Sequence, residues 1–122
     1  MDAGAPAKNV EMKIFTREGP ISLIFWGSEV TEPVNGRLDV VELNIKSFSG
    51  KADLRVDGIL LSPKASFFRR EKRAVGDDAV RFIRDEMEVT GEQWTYDQPL
   101  NKVTIQKKVR VVFHAALPNF LR

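Results

Sequence analysis

The feature that most constrains this chain is alternation. In EQWTYDQPLNKVTIQKKVRVVF, residues 92–113, Trp94 and Tyr96 alternate with polar residues. A turn-like run, Asp97-Gln98-Pro99-Leu100-Asn101-Lys102, follows. Val103 and Ile105 alternate next, Lys107-Lys108 interrupts, and Val109, Val111 and Phe113 alternate again. A period of two sends successive side chains to opposite faces of an extended strand. The stretch therefore reads as strand, turn, strand, kink, strand. The same period runs through Val10-Glu11-Met12-Lys13-Ile14 and through Val41, Leu43 and Ile45; in residues 21–26 it sets Leu23 and Phe25 against Ile24 and Trp26. Arg17-Glu18-Gly19-Pro20, Gly27-Ser28-Glu29, Glu32-Pro33-Val34-Asn35-Gly36, Ser47-Phe48-Ser49-Gly50 and the polar residues 69–78 read as turns or loops. Many short strands with such punctuation predict an all-β sandwich or barrel-like sheet pair.

One segment resists this reading. In residues 77–87, Val80, Ile83 and Met87 fall at i, i+3 and i+7, and Asp77 or Asp78 would cap a helix there. The alternative is a strand at residues 80–83, a bend at Arg84-Asp85-Glu86, and a strand at residues 87–89 ending at Gly91. A repeat favours the strands. Residues 41–56 lie over residues 92–107 without a gap, at an offset of 51: Leu43 falls on Trp94, Ile45 on Tyr96, Lys51 on Lys102 and Leu54 on Ile105. Either any two hairpins look alike at this level, or one strand-turn-strand unit is used twice and stacks to bury its apolar face.

At 122 residues the chain is long enough for one domain with its own core. Residues 10–114 are assigned to that domain, residues 1–9 to a disordered N-terminal segment and residues 115–122 to a C-terminal tail. There is no cysteine, hence no disulfide and no thiolate metal site. A formal net charge of +2 with both signs interspersed is an ordinary surface rather than a nucleic-acid footprint. No apolar stretch reaches the ~18 residues of a membrane span, and no signal-peptide pattern is present. An export signal or inner-membrane anchor missing from this chain is an expectation.

Chemistry-bearing motifs are sparse. His114 is the only histidine and has no triad or zinc partner. Asp77-Asp78 and Asp85-Glu86 with Glu88 lack calcium-loop spacing, and two carboxylates alone are a weak signal for glycoside hydrolysis. FFRREKR, residues 67–73, sets two aromatics beside four cations, a pattern shared by a strand end, a nucleic-acid platform and a cradle for anionic amphiphiles. Neither catalysis nor a metal or other cofactor is expected. Phe25, Leu43, Ile45, Leu54, Val56, Phe82, Trp94 and Tyr96 line the space between the predicted sheets. They are core if that space is filled and a lipid-binding surface if it is open.

Residues 81–113, RFIRDEMEVTGEQWTYDQPLNKVTIQKKVRVVF, resemble the periplasmic lipopolysaccharide-transport proteins, the LptA/LptC-type β-jellyroll family. Asp85, Met87, Gly91, Trp94, Tyr96, Asp97, Asn101, Val103, Ile105 and Val109-Arg110-Val111 carry the resemblance, which extends weakly to the hairpin of residues 43–56. It implies a single-domain antiparallel β-jellyroll, two facing sheets open along one side and built of repeated hairpins. It also implies a non-enzymatic periplasmic protein that binds or relays an amphipathic lipid such as lipopolysaccharide. Its partners would be other β-jellyroll transport proteins, joined by edge-strand pairing. Val109, Val111 and Phe113 then form the docking edge, and the protein alone is a monomer. The rival expectation is a structural or protein-interaction β-domain with a closed core and no lipid.

Overall fold

The computed structural model describes residues 5–49 and 55–114. Among these, every regular element is a strand: β1 (Ala7–Phe15), β2 (Ile21–Val34), β3 (Arg37–Phe48), β4 (Val56–Phe68), β5 (Arg73–Arg84), β6 (Met87–Asp97) and β7 (Lys102–Phe113). They form one open antiparallel sheet in the order β1-β2-β3-β4-β5-β6-β7, each strand paired only with its sequence neighbours. All-β and antiparallel hold. What hydrogen bonding builds, however, is one continuous meander with β1 and β7 at its edges.

The helix alternative at residues 77–87 fails for a simple reason. Val80 and Phe82 share a face of β5, Asp85-Glu86 is the turn, and Met87 already belongs to β6, opposite Arg84. A two-residue turn between strands reproduces an i, i+3, i+7 spacing by accident. Asp85 occupies the left-handed region (φ 52) that such a turn demands. Asn35-Gly36 is the equivalent between β2 and β3, with Gly36 at φ 90.

Three expected loops are shorter than the sequence suggested. Gly27-Ser28-Glu29 is continuous strand within β2, and of residues 32–36 only Asn35-Gly36 turns. Of residues 69–78 only the first four turn, because β5 starts at Arg73 and buries Ala74. Gly91 does not end a strand; it lies inside β6. At the other end of the domain β1 begins at Ala7, three residues before Val10. The expected C-terminal tail, residues 115–122, lies outside the described residues.

These misreadings share one cause. Buried, inward-facing positions follow a spacing of two along each strand except at one level, where they are three apart: Gly27 to Val30, Val40 to Leu43, Ser62 to Ala65 and Gly91 to Trp94. In β5 the residues Asp77 and Asp78 sit at a register shift at the same level. Asn9, Glu42, Gln93 and Lys108 adopt positive φ there, the conformation of a bulge. A crease thus crosses the whole sheet. In β2, β3, β4 and β6 it reverses which parity of residue faces inward, so alternation read along those strands stumbles at the crossing, whereas Ala74 and Val80 of β5 and Ile105 and Val111 of β7 keep one parity.

Bulges bend and twist a sheet, and this one rolls onto itself. Strands β2 and β6 are four places apart, about 19 Å in a flat sheet at ~4.8 Å per strand. Yet Gln98 Nε2, just past β6, donates to Ser22 Oγ of β2 at 2.6 Å. The Tyr96 hydroxyl hydrogen-bonds Ser47 of β3, and the Phe25 and Phe67 rings of β2 and β4 meet at 5.0 Å between centroids. The concave face is therefore the core: Leu23, Phe25, Phe67 and Ala74 have no exposure at all.

Candidate functional site

Sequence reasoning named eight lipid-facing positions, and the structure divides them. Phe25, Leu43, Ile45, Trp94 and Tyr96 are fully buried in the rolled part of the sheet, packed in one cluster with Leu60 and Phe67. Here the space between the layers is filled. Phe82 is half-buried against the edge of that cluster. Val56, at the start of β4, is exposed. Leu54 lies outside the described residues.

The fit around Trp94 and Tyr96 is tight. A Cβ on Gly76 would come within 2.5 Å of Trp94 Nε1, so only glycine lets the indole lie across β5. That Nε1 is buried without a hydrogen-bond partner. Burial, with smaller contributions from Asp57 and Asp97, pushes the Tyr96 hydroxyl up to about 12, while its bond to Ser47 acts the other way.

The open part of the concave face lies towards the β7 edge, on β5, β6 and β7. Leu60, Phe82, Val89 and Val111 form one cross-strand row and face the same way. Leu60 is buried, but Val111 is 46% exposed, and beside it Val109 is 53% and Phe113 71% exposed. The row runs from the covered core to bare surface within three strands. A groove of about 410 Å³ follows it, lined by Phe82, Met87, Val89, Val103, Ile105 and Val109, with Arg84, Asn101 and Lys102 at its margin. The three residues expected at the docking edge thus carry their apolar side chains on the concave side of an edge strand. That strand is also basic: β7 holds Lys102, Lys107, Lys108 and Arg110 and no acidic residue.

The remaining candidates separate. Phe67 is core, and the cations that follow it disperse, Arg69 to Glu32 and Arg73 to Asp97. Asp77 and Asp78 line a polar groove of about 850 Å³ on the sheet's outer side, with Asp39 and Gln93. Glu88 sits between Arg81 and His114, whose Nε2 lies 3.3 Å from it; the hydrogen bond from Arg81 chiefly holds its carboxyl below the usual carboxylate range. Among the described residues no three His, Cys, Asp or Glu side chains converge as metal ligands, and no helix is long and apolar enough to cross a membrane.

The open groove was only partly legible beforehand. Nothing in the segment of Met87 and Val89 tells which part of a rolled sheet stays uncovered. No family model and no curated protein matches this chain.

Proposed function

We propose that this chain binds the acyl portion of an anionic amphiphile, of the lipopolysaccharide type, on the uncovered concave face of β5–β7, and that it performs no catalysis. One observation carries the reading: the apolar row that is half-buried at Phe82 and Val89 becomes exposed at Val111, with Val109 and Phe113 exposed beside it, on a strand with four basic and no acidic residues. Burying methylenes there yields about 0.8 kcal/mol each, and Lys102 stands where a phosphate would be neutralised, beside Arg84, which pairs with Asp57 at 3.7 Å. The layers on either side of the crease act as the two facing sheets of a jellyroll, open at this corner. The compartment that fits such a ligand is the bacterial periplasm. In the same reading β7 receives an edge strand of a β-jellyroll partner.

A second reading has its own support. The complete burial of Phe25, Leu43, Ile45, Trp94 and Tyr96 suits a closed-core domain whose exposed β7 face docks a protein rather than a lipid.

The experiment is photo-crosslinking from position 111 or 113 with purified lipopolysaccharide, paired with Val111→Asp. Lipid adducts at these positions, absent from position 25, together with a Val111→Asp protein that melts normally but no longer binds, support the amphiphile reading. Unchanged binding by Val111→Asp overturns it.

A further inference from the structure

We propose that the outer face of the sheet, at the level of Ile24, Ile59 and Ile83, rests on a lipid bilayer with anionic headgroups, its apolar side chains and Trp26 in the interface and Lys13, Lys46 and Arg110 on the phosphates. A bilayer on this face and an amphiphile in the open corner, on the opposite side of the sheet, can each occur without the other.

An antiparallel sheet with one covered face is expected to show polar side chains on the other. On one side of the crease it does. The outward row Thr31, Asp39, Ser66, Val75, Thr95 and Thr104 has a single apolar member. On the other side of the crease the rule fails. Ile24, Ile59, Ile83 and Val112 share one outward row with Lys13, Lys46 and Glu88. The next outward row adds Trp26 and Leu61.

Register is what assembles this patch. Ile24-Phe25-Trp26, Ile59-Leu60-Leu61 and Phe82-Ile83 are apolar without alternation, and pairing brings all three runs to one level. Strands that are apolar on both faces are strands covered on both faces. Phe25 and Leu60 are sealed on the inner side. On the outer side no element of the described chain lies over Ile24, Trp26, Ile59, Leu61 or Ile83, which keep part of their surface in solvent.

Charge selects the occupant. Arg81 on this face is taken up by Glu88, and Lys108, beside the groove of about 630 Å³ at Trp26, Leu61 and Pro63, by Glu92. Lys13, Lys46 and Arg110 have no ion pair among the described residues, and the one unpaired carboxylate in the two rows is Glu11. A second copy of the chain would set these free cations against a face of the same sign. Protein interfaces are also depleted of lysine, yet Lys46 stands directly between Ile24 and Ile59. At a bilayer a lysine stem lies along apolar surface while its ammonium reaches the headgroups, and tryptophan favours the same depth. Apolar contact combined with a few cations gives reversible surface binding that weakens with salt.

The test is co-sedimentation of the full chain with large vesicles of phosphatidylcholine, alone or mixed with phosphatidylglycerol. The mixed vesicles should bind it, less at high salt, and at least about tenfold more strongly than phosphatidylcholine alone. Lys13→Gln with Lys46→Gln should reduce partition about twentyfold, at roughly fivefold per cation, while Arg70→Gln with Lys72→Gln, in the β4–β5 turn, should change it less than about twofold. Brominated lipid should quench tryptophan emission in the parent but not in Trp26→Phe, since Trp94 is sealed in the core. Equal losses from the two pairs of charge substitutions would reduce the contact to net charge and overturn the proposal, as would failure to bind either vesicle. Partition that survives Lys13→Gln with Lys46→Gln but is abolished by Val111→Asp would put the bilayer at the open corner; the outer-face proposal is then wrong and the amphiphile reading stands. If the parent ignores vesicles while a photo-crosslinker at position 26 captures a protein in cells, the occupant is a protein and the proposal is wrong. Vesicle partition that depends on Lys13 and Lys46 in a chain that takes up no lipopolysaccharide sustains the proposal and overturns the amphiphile reading instead.

Discussion

Phe67 and Phe113 are aromatic residues on the same concave face of the same sheet, yet one has no exposure and the other has 71%. The difference is one of coverage, not of the side of the crease, since Phe25, Ile45, Leu60, Phe82, Val89 and Val111 form one cross-strand row on the same side of it. Away from the β7 edge the roll brings β6 and the turn after it over β2 and β3, so Phe67 meets Phe25 and is sealed. At the β7 edge Val109, Val111 and Phe113 sit on a strand that nothing in the described chain folds over. Local sequence chemistry is nearly equivalent in the two corners. Coverage, a property of the whole sheet, makes one of them core and leaves the other available.

The largest expected effect separates the corners directly. Phe67→Ala should lose about 3–5 kcal/mol of stability by cavity formation, whereas Phe113→Ala should stay within about 0.5 kcal/mol. Paired urea denaturation curves measure both, and equal losses would erase the distinction between the corners. Next comes the crease. A Cβ at Gly91 would clash with Ile105 and approach Lys107 O to 2.8 Å. The second contact is backbone and cannot swing aside, so Gly91→Ala should cost about 1–3 kcal/mol. A neutral result would show that β6 and β7 have more slack at the bulge than their packing indicates.

The pH profile gives a third comparison, between one group in each corner. Tyr96 in the covered corner is raised to about 12 from 10.0. A raised folded pKa contributes stability that is complete below the unfolded value and lost as pH climbs past it. Alkaline unfolding should therefore begin near pH 10 and withdraw up to about 2–3 kcal/mol by pH 12. Tyr96→Phe should shift that midpoint upward. Glu88 near the open corner is lowered, so its stabilisation is present at neutral pH and is lost as pH falls below the ordinary carboxylate range. It is shared with exposed partners, so Glu88→Gln should flatten the acid limb only slightly. Melting temperatures across pH read both limbs.

Much of this arrangement is written in local pattern. The inward positions of β2, β3, β6 and the first part of β7 follow from alternation, and Leu43, Ile45, Trp94 and Tyr96 are all buried, but the offset of 51 does not superpose two like hairpins, since Trp94 pairs with Ile105 whereas Leu43 pairs with Ser62. The crease was illegible because a bulge looks like the end of a strand when only neighbouring residues are read. Gly27 and Gly91 resemble turn residues, yet each is glycine because a neighbouring strand leaves no room for a Cβ. Coverage was illegible for a deeper reason. Whether Trp94 or Val111 faces solvent depends on contacts between strands four places apart, and no periodicity records those. The filled half of the predicted cradle and the open half at Val89 and Val111 have the same apolar signature.

The meander order has a consequence for how the chain reaches this state. Each of the six strand pairs joins sequence neighbours, so hairpins can form one after another with small loop-closure costs. The bond between Ser22 and Gln98 instead links residues 76 apart. By loop-closure entropy, rolling the sheet onto itself should follow the local pairing. Until it happens, the sealed aromatic cluster around Phe25 and Phe67 is as bare as the corner at Val111. A nascent or briefly unrolled molecule is a flat, apolar sheet with two free edges, the form most exposed to aggregation.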